Sequence, residues 1–315
     1  MGDDSLTKLI LLLQNPAPQY VFGCLPAIAT IGAAPESGLT NKILWLLRCL
    51  GCPFTGLFYS FNVNNNSIAR SAYWLTSDQF LKNGNKIPYR PVGHHAMEIV
   101  VSEQQDDVIK LLEGCVAESS ALDRLSSLVS AYYIFIGIFI GLVRINSCSV
   151  EGWPYLPFAL AWTLPAIYDR VLGGKLVVKD PRDRLKEMHV VVRDLPYNRK
   201  SAQDTQVLIT FVLFSVIIPW TSVILSCVTF PKGYGCRSKY LTVLCSIWSF
   251  NSIIAYKSHI RGEKFVSSNR FINVWFCLCG IIIAILLILL GLLNHSPSWW
   301  VDLFGETCEI ECDTT

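Results

Sequence analysis

Charge is scarce in this 315-residue chain: Lys, Arg, Asp and Glu make up 16% of it, where soluble domains average about 25%. The shortage is uneven. The run 281–293 has no polar side chain at all, and a soluble fold of this size rarely buries such a helix. Histidine is sparse as well. All five, His94, His95, His189, His259 and His295, fall outside the strongly apolar stretches, which leaves those stretches without clustered histidine ligands. The adjacent His94 and His95 near Glu98 read as solvated loop residues rather than a metal site. HExxH, the P-loop, the dinucleotide glycine fingerprint and GxSxG are all missing. The chain therefore reads as non-enzymatic, with no catalytic residues, cofactor or metal to assign. The cores of the clear apolar stretches also lack ionisable groups; Arg144, Asp169 and Arg170 stand at their edges. Ion-coupled carriers commonly use such groups at mid-depth, so coupling to an ion gradient is disfavoured.

What is abundant is apolar sequence, with 52% hydrophobic residues and a mean hydropathy of +0.41. A bilayer core about 30 Å thick takes roughly 20 such residues per helix. Five stretches qualify: 128–145, 154–168, 206–230, 240–256 and 271–293, the second being short. The expected fold class is all-α, a multi-pass helical integral membrane protein. Two weaker stretches are 17–33, broken by Pro18 and Pro26, and 43–61, which carries Arg48 and Pro53. An uncompensated Arg at mid-bilayer costs about 2.5 to 3.5 kcal/mol on insertion scales. If the two weak stretches form a hairpin, the span count becomes seven and the orientation is unchanged. The start, with Asp3, Asp4 and the lone basic Lys8, does not read as a signal peptide, a later apolar region ending near the small residues Ala33 and Ala34 being the weaker alternative, and Leu6 occupies the position where myristoylation needs a small hydroxyl residue.

Orientation follows from loop charge, because basic loops stay in the cytosol. Residues 169–205 carry nine Lys or Arg and 257–270 carry four, whereas 294–315 carry none and have five acids. Lys232, Arg237 and Lys239 dissent mildly. The expected organisation is an N-terminal region 1–61, a cytosolic collar or small helical domain 62–127, a membrane bundle 128–293 containing the basic cytosolic loop 169–205, and an acidic outer tail 294–315. The location is then the plasma membrane or an endomembrane. Trp153, Tyr155, Trp299 and Trp300 are placed as interfacial anchors.

Within the collar, Ser102 and Gln105 form a capping box for a helix that puts Val108, Ile109, Leu112 and Val116 on one face. In the basic loop, 176–179 is strand-like, Asp180 and Pro181 open a helical turn through Leu185, and 188–192 is strand-like again. Lys175, Lys179, Arg182, Arg184, Lys186, Arg199 and Lys200 are candidate contacts for anionic lipid headgroups, each nearby cation contributing about 1 kcal/mol. The simpler reading is a juxtamembrane loop obeying the charge rule.

Twelve cysteines divide by place. Cys227, Cys245, Cys277 and Cys279 lie in or beside apolar stretches as small packing residues. Cys148, Cys236, Cys308 and Cys312 share the expected outer face and are candidates for a disulfide whose pairing sequence cannot choose. Cys49 and Cys52 form a CxxC within an apolar stretch, which suits membrane packing or palmitoylation better than zinc. Gly137 and Gly141 have GxxxG spacing for close helix packing, self-association into a homo-oligomer being one form of it. Thr242, Ser246, Ser249 and Ser252 share one helix face with Asn251 beside it, and Pro219, Thr221 and Ser222 sit in the preceding stretch. Together they are either a polar seam or the hydroxyls that cement helices in lipid.

Two functions follow as expectations. The first is a non-enzymatic assembly, sensor or adaptor component acting through its cytosolic segments, with the lipid bilayer, anionic headgroups and a cytosolic protein as partners and no nucleic acid. The alternative is a facilitator or channel for a small uncharged solute through the hydroxyl-lined seam.

Overall fold

The structure is a computed structural model that describes residues 19–33, 38–60, 97–98, 110–111, 113–143, 155–179, 193–194, 202–229, 232–261 and 270–295. Of these residues, 86% are helical. A π-helical turn, Gln19–Cys24, leads into α1 (Leu25–Ile31), with Pro26 in the first turn, where a missing N–H loses no bond. After Gly38, α2 (Leu39–Gly51) runs to Cys52, and α3 (Pro53–Ser60) follows at once. Pro53 explains the interruption: a proline pushes the residue before it out of the helical region, and Cys52 has φ −135° and ψ 93°.

Two short strands come next, β1 (Met97–Glu98) and β2 (Val116–Glu118), and then α4 (Ala121–Val143). Its start is a capping box: the Ser120 hydroxyl accepts from the Asp123 amide at 3.1 Å, while the Asp123 carboxylate accepts from the Ser120 amide at 3.3 Å and hydroxyl at 2.7 Å. Two orphan backbone donors are satisfied there. The stretch after α4 is not one helix. It comprises α5 (Tyr155–Ala159), a 3-10 turn (Ala161–Thr163), α6 (Leu164–Tyr168) and a π-helical turn (Asp169–Gly173). Pro157 and Pro165 each deny the ladder an N–H and crowd the turn before them. Gly174, at φ 61°, closes the segment in the left-handed conformation that glycine adopts at no steric cost.

The chain then enters β3 (Lys175–Val177) and β4 (Arg193–Asp194). β2 pairs antiparallel with β3, Ala117 opposite Leu176, and β1 pairs with β4. Val116 therefore opens a strand paired with Val177 instead of continuing a helical face. Three long helices complete the chain: α7 (Ala202–Val228) with Pro219 inside, α8 (Cys236–Arg261) and α9 (Arg270–His295).

Among the described residues, three helices are long and apolar enough to cross a membrane: α4 over Ala121–Ile140, α7 over Ile209–Val228 and α9 over Phe271–Leu289. α8 has the length, but its hydroxyls, Asn251 and the lysines at both ends dilute it. The weak stretches 17–33 and 43–61 are helical where described, though interrupted.

The core lies where the interruptions are. Every residue from 53 to 58 and from 157 to 163 is buried, and Trp162 stacks edge-on to Trp248 of α8 at 5.7 Å. Around this centre the long helices turn apolar side chains outward. On α4, Leu122, Leu125, Leu128, Tyr132, Phe135 and Phe139 are all exposed, and steps of three or four residues place them on one face. α2 packs along α9, and α7 along α8.

Candidate functional site

Breaking a helix at a proline leaves backbone groups without partners. At the α2–α3 interruption the loose groups include the carbonyls of Leu50 and Gly51, deep in the core. One face of α8 answers them. The Trp248 indole donates to the Leu50 carbonyl at 2.7 Å, and the Asn251 side-chain amide donates to the Gly51 carbonyl at 2.7 Å. The Phe54 amide donates to the Ser252 hydroxyl at 3.4 Å, and the Cys52 thiol to the Asn251 backbone carbonyl at 3.6 Å. Asn251 and Ser252 follow Trp248 by three and four positions, so a single turn of helix aims all three at the break.

Asn251 also accepts from the Trp275 indole of α9 at 2.9 Å. Indole only donates and a carbonyl only accepts, so these two partners fix which way the Asn251 amide points. One buried side chain thereby joins the break, α8 and α9. Beside it two glycines bring backbones together: a Cβ on Gly51 would collide with the Phe276 carbonyl, and one on Gly280 with the Leu47 carbonyl. α2 and α9 meet main chain to main chain.

The eight seam candidates do not share one surface. Asn251 and Ser252 are buried at the break, whereas Ser246 is exposed. Ser249 accepts from the Trp220 indole of α7 at 2.9 Å. Thr221 donates back to the Ile218 carbonyl and Ser222 to the Pro219 carbonyl, both at 2.6 Å. The Pro219 carbonyl also takes the Cys245 thiol at 3.3 Å, and Thr242 donates to the Ser238 carbonyl at 2.6 Å. Gly137 is buried on α4; Gly141 lies on the same helix, its packing outside the described part.

A second polar cluster ties α1 to the basic segment. Arg170 is 9% exposed and donates to the Thr30 carbonyl at 3.2 Å, near the C-terminal end of α1, where a cation complements the helix dipole. Burial pushes its guanidinium below the ordinary arginine value, and the Asp123 and Asp169 carboxylates oppose that shift. The Ser119 hydroxyl, which accepts from Arg124 at 3.0 Å, lies 3.4 Å from the Arg170 carbonyl. Lys175 sits in β3 and Lys179 is exposed just beyond it. Arg182, Arg184, Lys186, Arg199 and Lys200 lie outside the described residues, as do Ser102, Gln105, Cys148, Cys308, Cys312 and the side chain of Cys236. Eight cysteines, Cys49 and Cys52 among them, are free thiols. Among the described residues no group of three or more His, Cys, Asp or Glu gathers as a metal site would require.

Sequence reading passed over the Trp248, Asn251 and Trp275 network. Its signals were the Cys52–Pro53 dipeptide in an apolar stretch, which announces loose carbonyls, and amide- and indole-bearing side chains in a later one. The chain matches no family model, no curated protein and no solved structure.

Proposed function

We propose that this chain is a multi-pass helical membrane protein and a non-enzymatic assembly or adaptor component, its N-terminal region and its 169–205 loop facing the cytosol. The observation behind this reading is that the break between α2 and α3 is bonded from within the protein. Polar groups loosened by the interruption of α2–α3 are bonded by Trp248, Asn251 and Ser252, and the hydroxyls of Thr221, Ser222 and Thr242 bond carbonyls of their own helices. Such an interior holds a shape and offers little to a passing solute. The outward apolar faces of α4, α7 and α9 suit lipid, which leaves the basic segment to meet partners. Replacing Lys175, Lys179, Arg182, Arg184, Lys186, Arg199 and Lys200 by Gln should remove the chain from high-mass complexes on native gels of gently solubilised membranes. Persistence of those complexes unchanged overturns the reading.

A facilitator is the second reading, favoured by one observation. Two interrupted helical segments meet in the core, an arrangement that in transporters marks a binding site. The Trp162 indole between them is buried and finds no acceptor among the described residues. A solute passing there would be blocked by Gly56→Leu, since a Cβ at Gly56 already lies 3.4 Å from the Trp162 ring. Flux through the pure protein in liposomes, lost in that variant, would establish it over the assembly reading; no flux above protein-free vesicles removes it.

A further inference from the structure

Arg48 is a cation inside the bundle without an ion pair among the described residues. It lies in α2 next to Leu47, whose carbonyl meets Gly280, about 15 Å along α9 from Arg270 at 1.5 Å per residue. That is half of a bilayer core about 30 Å thick. Among the described residues its Nε is buried without a hydrogen-bond partner, and its guanidinium lies over the Trp45 ring, 5.4 Å away, near the Cys49, Cys52 and Cys277 thiols and with no carboxylate against it. An intramembrane guanidinium normally pairs with a carboxylate or backbone carbonyl.

We infer that Arg48 is the docking point for a transmembrane helix of a different protein that carries an Asp or Glu at mid-depth. The surface around it suits a helix. Leu44, one turn earlier on the same stripe, is exposed, so an apolar side chain lies beside the cation on that face of α2, with the exposed Lys42 half a turn further back. Charge complementarity supplies the rest: a carboxylate at that depth is itself costly, and pairing relieves both groups. A second copy of this chain does not fit. The long helices carry carboxylates only at Asp123 and Asp204, both in first turns, far from the level of Arg48. This inference rests on the assembly reading and names the chemistry of one partner.

The test uses the full chain in phosphatidylcholine vesicles with labelled Leu–Ala transmembrane peptides bearing a central Asp, Asn or Leu. Energy transfer should report the Asp peptide binding at least about tenfold more tightly than the Leu peptide. Arg48→Leu should reduce it to the Leu level, and Arg48→Glu should bind a central-Lys peptide instead. Equal binding of the three peptides by the unaltered chain overturns the inference, whatever the variants do. Displacement of the Asp peptide by added phosphatidylserine overturns it too, by assigning Arg48 to a lipid headgroup. If loop-dependent complexes persist while no peptide discriminates, only the docking point is lost. If the Asp peptide binds but the complexes ignore the loop, the loop-mediated assembly reading fails and the docking point stands.

Discussion

The interrupted helices and the long helices obey opposite rules. Residues 53–58 of α3 and the 157–163 segment are buried, whereas α4, α7 and α9 each expose a line of apolar side chains. Backbone bonding explains the division. A continuous helix satisfies its own main chain and can face hydrocarbon, while a broken one has loose carbonyls that only protein or water can meet. The prolines thus sort the chain into an inside and an outside. Pro219 marks the boundary case: it lies within α7, and its own carbonyl is met by Ser222 and Cys245.

That contrast can be tested by how much each region tolerates change. Asn251→Leu should have the largest effect, because it strands both the Gly51 carbonyl and the Trp275 indole; at about 1 to 3 kcal/mol for each unmet group, the loss is roughly 2 to 6 kcal/mol. Detergent-induced unfolding followed by tryptophan fluorescence would measure it, and an unchanged midpoint would mean water reaches the break. Gly280→Ala comes next, since its methyl group meets the Leu47 backbone rather than a yielding side chain; overpacking of this kind costs about 1 to 3 kcal/mol. Ser120→Ala removes the cap of α4 and should cost about 1 kcal/mol, seen first as faster amide exchange in residues 121–124. Phe135→Leu, on the outward face of α4, should stay within about 0.5 kcal/mol. A larger drop there would show that this face is covered by protein.

Much of the outside was legible in the sequence, and little of the inside. The 281–293 run can scarcely be anything but helix, so α9 was plain. β3 was visible as a strand at Leu176 and Val177, since branched and apolar residues there follow a glycine pair. The interrupted segments resisted because their helicity depends on partners far away: 154–168 reads as one short span until Pro157 and Pro165 are weighed against neighbours. The Asn251 network spans some 200 positions, Gly51 to Asn251, and no local pattern foretells it. Val116 misled for a similar reason, its pairing with Val177 being decided outside its own window. The Ser120–Asp123 cap was a local signal that went unread beside the one at Ser102.

The contact of Gly51 with α9 bears on how the protein is made. A ribosome delivers α2 long before it delivers Trp248, Asn251, Trp275 or Gly280, so the early segment emerges with its break unbonded and its arginine uncovered. Its bonds must wait until the last two helices arrive to receive it. Truncation before residue 236 should therefore leave α2 and α3 open to protease although every residue of both has been synthesised.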